Sequence, residues 1–409
     1  MQVPAQGEWA ARPLRERLRV IRGLRHRIAA NARELARTAG EDRPEFESLS
    51  AEVVPLADAC RFLEREAPRL LAPRRLGADG RPAWLAGVEA EVRREPVGLV
   101  LVIAPANNLL FLPGVQTAQA LAAGNAVLWK PGRGGLAAAR AFAGLAAAAG
   151  LPAGLLTVLG EDPEAAREAI AAGVDKVFLT GSAETGREVL ADLARRLTPA
   201  TVELSGCDAL FVLPGADLDR VARAVRFGII LNGGAACIAP RRIFVPHASA
   251  TALKEKLRRQ DKNLPPAEVL LVPFTRPEEA LAAAAASPYA LGASIFGPEE
   301  AAVAFAARVR AGSVVINDLI VPTADPRLPF GGRGESGFGV TRGAEGLLEM
   351  TVVKTVSVRR GRWLPHLEEL HPSDAELFRA YLTLAHADGL RARLRGAADL
   401  TRSLLRRRR

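Results

Sequence analysis

The run G-L-V-L-V-I-A, from Gly98 to Ala104, decides the fold. Its aliphatic side chains follow one another without polar alternation, so no face of such a strand can meet water. That predicts a parallel strand buried on both sides. Downstream, the pattern alternates: a helix at about Leu112 to Ala123, a strand from Ala126 to Lys130, an alanine-rich helix, and strands at Leu155 to Leu159 and Lys176 to Leu179. Such alternation predicts an α/β fold, a doubly wound sheet that takes a nucleotide at its carboxyl edge.

The flanks read differently. Helical spacing of leucine, isoleucine and alanine runs from Arg12 to Gly40, and a second helix is expected over about Ala51 to Leu71. The segment Arg81 to Pro96 reads as two short strands joined near Ala86-Gly87. Further on come helices at Pro277 to Ala286 and Pro298 to Arg310, a strand at Ser313 to Asn317, a glycine-rich loop from Pro329 to Gly339 and a strand at Thr351 to Val358. Beyond Arg360, Ser373 with Glu376 reads as a capping box for a helix to about Ala387, stopped before Gly389.

With 409 residues, 49% of them hydrophobic, the chain is long enough for two or three cored domains. The formal charge of +10 does not indicate a nucleic-acid protein, because the basic residues are nearly all arginines scattered along helices with glutamates among them, as from Arg15 to Arg37, and such faces are usually just solvated. The end of the chain differs: Arg391, Arg393, Arg395, Arg402 and Arg406 to Arg409 stand against Asp399 alone, a tail able to touch an anionic surface. Cys60, Cys207 and Cys237 form neither a disulfide framework nor a zinc spacing, which points to a reducing, cytoplasmic compartment. The five histidines lack metal-ligand spacing, so no metal is expected, and His247 is read as a surface or core residue. No stretch is long and charge-free enough to span a membrane. Glu16 and Glu34 argue against a transit peptide.

Two residues carry candidate chemistry: Glu203 in V-E-L-S-G-C and Cys237 in L-N-G-G-A-A-C-I-A-P-R-R. A thiol can add to a carbonyl, and a carboxylate can deprotonate the water that later frees the acyl group. Alone, each has an ordinary reading, as a small core cysteine and a glutamate paired with an arginine.

Seven segments, in order, change that balance. They are E-P-V-G-L-V-L-V-I-A-P-A-N (Glu95 to Asn107), A-L-A-A-G-N-A-V-L-W-K-P (Ala120 to Pro131), L-T-G-S-A-E-T-G (Leu179 to Gly186), V-E-L-S-G at Glu203, the loop Asn232 to Arg241, A-G-S-V-V-I-N ending at Asn317, and P-F-G-G-R-G-E-S-G-F-G (Pro329 to Gly339). In these the chain resembles the aldehyde dehydrogenase superfamily, and Cys237 lies 34 positions after Glu203 (237 − 203), as that family requires.

The resemblance implies a dinucleotide-binding domain over residues 1–80 and 97–206, a catalytic domain over 207–346, oligomerisation strands at 81–96 and 347–360, and a helical basic extension over 361–409. It makes Cys237 the nucleophile, Glu203 the base for thioester hydrolysis, and Asn107 the amide that supports the oxyanion. Lys130 would reach the adenosine ribose. Gly181, Ser182 and Gly186 open the helix whose free amides suit a pyrophosphate, with Ala104 and Pro105 beside them. The implied reaction is NAD- or NADP-dependent oxidation of an aldehyde to its acid by a homodimer or dimer of dimers. Leu109, Leu110, Phe111, Leu231 and Ile320 are expected to form an apolar substrate tunnel.

Several positions depart from the family. The catalytic domain is shortened near 255–268, and Glu268 is out of register with the glutamate that grips the nicotinamide ribose. Arg133 stands near where many members carry an acid, so the pocket reads as able to accept NADP unless that arginine points to solvent; Cys207 and Glu335 replace lysines. The shortened domain and added tail leave a second reading, a non-catalytic binding or scaffold subunit.

Overall fold

The computed structural model describes residues 4–40, 43–260, 270–360, 364–367, 369, 371–372 and 374–407. Glu268 and the expected cap Ser373 lie outside them. Two compact units are present: Met1–Arg75 with Glu91–Val356, and Leu76–Ala90 with Ser357–Arg409.

The first unit contains two parallel sheets. In the larger, the strand order is Gly337–Phe338, Ala200–Glu203, Lys176–Thr180, Leu99–Ile103, Ala126–Lys130, Leu156–Val158. All pair in parallel except the short outer strand Gly337–Phe338, which runs antiparallel to Ala200–Glu203. From Leu99–Ile103 the chain builds outward to Leu156–Val158, then returns to add Lys176–Thr180 on the other side. The order therefore reverses between Leu99–Ile103 and Lys176–Thr180, where a doubly wound sheet opens a crevice at its carboxyl ends. Every residue from Leu99 to Ile103 is buried, as the apolar run requires.

The second sheet has the order Leu270–Phe274, Pro240–Pro246, Asp208–Val212, Gly292–Phe296, Ser313–Ile316, all parallel. Alternate side chains of Asp208–Val212 enter two different cores. Ala209 and Phe211 pack with Phe244 and Phe305 on one face, and Leu210 and Val212 pack with Ile243 and Val245 on the other. Phe211 stacks on Phe244 with centroids 5.1 Å apart. The period of two along a strand produces this division.

Three expected elements differ. The helix expected from Arg12 to Gly40 is broken into Leu14–Ala30 and Ala32–Thr38, because Asn31 turns out of helical geometry and its Nδ2 donates to the Arg27 carbonyl at 2.8 Å. The hairpin over 81–96 is not formed: Pro82 caps a 3-10 turn at Ala83–Leu85, and only Val88–Pro96 is a strand. Its sheet, in the order Arg74–Leu76, Val88–Pro96, Thr351–Arg359, takes its second strand from before the turn. The helix expected to reach Arg310 stops at Ala306.

In the second unit, helices Asp374–His386 and Leu390–Arg407 form a hairpin around Gly389, whose φ of +80° suits glycine. A Cβ on Gly396 would lie 2.4 Å from the Leu384 nitrogen, so only glycine lets the helices approach this closely.

Candidate active site

Glu203 ends the strand Ala200–Glu203, and the glycine-rich loop fixes it there. Gly337 pairs directly with Glu203, the Leu204 amide donates to the Ser336 carbonyl at 3.1 Å, and Ser336 Oγ donates to the Ser205 carbonyl at 2.8 Å. A Cβ on Gly337 would fall 2.0 Å from the Val202 carbonyl oxygen, which explains glycine in that loop.

Cys237 comes from beside the second sheet, on the loop after helix Leu218–Ile230. That loop turns through Asn232, Gly233 and Gly234, all at positive φ. Gly206 lets it approach Glu203's own loop, since a Cβ there would meet the Cys237 carbonyl at 2.7 Å. The result is a thiol that donates to Glu203 Oε1 at 3.5 Å. Both lie on a cleft of about 340 Å³, walled also by Asn107, Gly181, Ala235 and Arg241.

Burial dominates the electrostatics here. It pushes the Glu203 carboxyl up, and the Arg342 guanidinium and the Cys237 hydrogen bond pull it partly back. The thiol is pushed well above its ordinary value, first by burial and then by the charges of Glu203 and Asp208, with Arg342 opposing. Asp208, itself buried, is raised well above the usual carboxylate range by desolvation. The resting pair is thus a neutral thiol hydrogen-bonded to a carboxyl group. Glu203 Oε2 has no hydrogen-bond partner among the described residues.

Arg342 escapes sequence reasoning, since neither period nor motif marks it. It is buried, lies over the rings of Phe330 at 4.4 Å and Phe111 at 5.5 Å, and donates from Nη1 to the Thr323 carbonyl at 2.6 Å. Its backbone, at φ +61° and ψ 177°, occupies a region that is essentially glycine's, at a cost of about 1–3 kcal/mol. The chain holds this strain where a buried cation acts on Glu203 and Cys237.

Asn107 sits at the cleft mouth. One of its side-chain N–H groups donates to the Ala235 carbonyl at 2.6 Å, leaving the second N–H of the amide for another acceptor. A polar chain ties this loop down: Asn232 Nδ2 donates to the Asn107 carbonyl, Arg43 donates to Asn232 Oδ1 at 2.5 Å and to Glu52 Oε1 at 2.9 Å. The fully buried Glu52 in turn accepts the amides of Leu109, Leu110 and Phe111. Those bonds also redirect the expected tunnel. Leu109, Leu110 and Phe111 are packed into the main core, Ile320 packs under the second sheet, and none of the five expected residues, Leu231 included, lines the cleft.

A second groove of about 500 Å³ shares Pro105, Ala106, Thr180 and Gly181 with the cleft and follows the switch point. Ala104, Lys130 and Arg133 line it. Lys130, at the end of its strand, has its pKa lowered by burial, with Glu161 and Asp162 opposing. Glu161, another residue unmarked in the sequence, accepts the amides of Gly134 at 2.9 Å and Leu136 at 2.7 Å and so shapes the Arg133 turn. Ser182 and Gly186 do not line the groove. Ser182 caps the helix Ala183–Ala194 by accepting the Thr185 amide, and Gly186 spends its amide on the Ser182 carbonyl. What demands glycine at 186 is the Leu204 side chain, which a Cβ on Gly186 would approach to 2.7 Å.

The family model described as "Aldehyde dehydrogenase family" matches residues 3–268 and 269–356. Among its relatives, a 4,4'-diapolycopene aldehyde oxidase from Methylomonas is 28% identical across 93% of this chain and 85% of its own length. A geranial dehydrogenase from Castellaniella defragrans is 42% identical over a shorter stretch, 38% of this chain and 33% of that protein. The solved NAD-dependent aldehyde dehydrogenase from Sinorhizobium meliloti superposes with a TM-score of 0.80 at 25% identity, covering 88% of this chain and 86% of that one.

Proposed function

This chain belongs to the aldehyde dehydrogenase family, and from that premise we propose that it oxidises an apolar aldehyde to the carboxylic acid with NAD or NADP, through a thioester on Cys237. The 3.5 Å contact between Cys237 Sγ and Glu203 Oε1 carries the proposal. Glu203 takes the thiol proton, and the thiolate adds to the aldehyde carbon. The second N–H of Asn107 stabilises the resulting oxyanion without changing protonation. Nicotinamide, when bound, supplies the hydride acceptor. Once Glu203 has passed the thiol's proton to solvent, it deprotonates the water that attacks the thioester; the C–S bond breaks, the acid leaves, and the thiolate recovers a proton from Glu203.

The groove at the switch point suits a dinucleotide in size, at about 500 Å³, and in donors, with the Lys130 ammonium and the Gly181 turn at the carboxyl edge. Arg133 is exposed on its wall and brings a cation where an NADP 2′-phosphate would carry charge. The substrates named for two relatives, a diapolycopene aldehyde and geranial, favour an apolar isoprenoid aldehyde. Homo-oligomerisation through the edge strand Thr351–Arg359, which exposes Val352 and Val353, fits the same reading.

An absorbance assay of reduced cofactor over a panel of isoprenoid, aliphatic and polar aldehydes tests it. Turnover of the apolar members by the parent, and none by Cys237→Ser, is the expected result. No turnover of any aldehyde would leave the scaffold reading standing.

A further inference from the structure

We propose that the C-terminal helix Leu390–Arg407 seats this protein on an anionic lipid surface through an exposed leucine stripe flanked by arginines. At 3.6 residues per turn, Leu390, Leu394, Ala398, Thr401 and Leu405 fall within an arc of about 80°. Their exposure is not that of a buried seam: Leu390 is 73% exposed, and Leu394 and Leu405 are each 61% exposed. The opposite side is the one that packs. Gly396 is buried against the backbone at Leu384, and Ala392, Leu400 and Ser403 are half-buried beside it. The stripe therefore faces away from its hairpin partner, helix Asp374–His386, which itself exposes Phe378 and Leu382 one turn apart.

Arginines border the stripe on both sides. Arg391, Arg402 and Arg395 occupy the adjoining arc of about 40°, and Arg393 lies about 60° beyond the far edge. Arg402 pairs with Asp399, which is the one acid of residues 390–409. Arg391, Arg393 and Arg395 are exposed.

This combination selects among occupants. A nucleic acid would satisfy the arginines and leave the leucines in water. A second copy of the same face would cover the leucines and bring arginines against arginines. At the interface of an anionic bilayer both demands are met at once: leucines enter the acyl boundary and arginines reach up to the phosphates along their apolar stems.

The test is co-sedimentation of the full-length protein with phosphatidylcholine vesicles, with and without phosphatidylserine, and light scattering alongside. The parent is expected to bind the phosphatidylserine vesicles preferentially, and less as salt rises. Replacing Leu394 and Leu405 together by glutamine should weaken binding about tenfold or more. Replacing Arg391 and Arg395 by glutamate should do so by about as much at low salt. All four positions are solvent-facing, so circular dichroism and melting should match the parent. Binding that ignores phosphatidylserine would overturn the proposal. So would leucine variants that lower the oligomer mass and leave vesicle binding intact, or arginine variants that lose retention on DNA and keep vesicle binding.

Discussion

The Cys237 thiol, from a loop beside the second sheet, and the Glu203 carboxyl, from the last residue of a strand of the first, meet at 3.5 Å in a setting that raises the proton affinity of both. Desolvation is the larger cause in each case, and the buried Arg342 guanidinium opposes it. The proton leaves Glu203 at a higher pH than it leaves a free glutamate. The kcat/KM profile should therefore rise through an acid limb displaced upward from that of a free glutamate. Arg342→Met should move the limb further up, because the opposing cation is gone. A limb that stays in place in Arg342→Met would remove Arg342 from the electrostatics.

Stability should carry the same signature. The folded-state pKa of Glu203 is raised above its unfolded value, so its contribution is fully present below the unfolded pKa and is lost as pH rises through the folded one. Glu203→Gln does not titrate. The difference in Tm between variant and parent should accordingly shift in the variant's favour from acid to alkaline pH. A constant offset across the range would contradict the burial argument.

Arg43 bridges Glu52 and Asn232, and so joins the start of helix Phe111–Ala123 to the cysteine loop. Arg43→Ala leaves Glu52 buried with its amide partners alone. Breaking such a pair costs about 3–5 kcal/mol. Urea denaturation should register that loss, with a fall in kcat as the Asn107 loop loosens. Parent-like stability would show the bridge to be ornamental.

On the cofactor side, Arg133→Glu should lower kcat/KM with NADP about tenfold or more, the scale of a charged hydrogen bond, and spare NAD. Equal ratios for both cofactors in parent and variant would place Arg133 in solvent.

Much of the fold was legible because its cause is local. The run Leu99–Ile103 can exist only as a doubly covered strand, and the alternation after it leaves few ways to wind a sheet. The meeting of Glu203 with Cys237 was expected from the segments shared with the family, and the glycines at 206 and 337 are what let the backbones around it approach closely. Arg342, Arg43 and Glu52 were not, since each acquires its part from residues distant in sequence: Phe111 and Phe330 for the first, Asn232 and the amides of Leu109 to Phe111 for the others. The misplaced tunnel has the same origin. An apolar tripeptide reads alike whether it lines a passage or fills a core, and it was the buried Glu52, grasping its backbone, that turned it inward. At 81–96 the expectation failed on Pro82, which set a 3-10 turn where a strand was expected.

Intact-protein mass spectrometry after rapid mixing of aldehyde and oxidised cofactor reads the central step directly. In Glu203→Gln, where deacylation stalls, the account predicts a slowly formed adduct equal to the aldehyde less two hydrogens, located on Cys237 by peptide mapping and absent from Cys237→Ser. The same adduct on another residue, or its formation undiminished in Cys237→Ser, would contradict a thioester at Cys237.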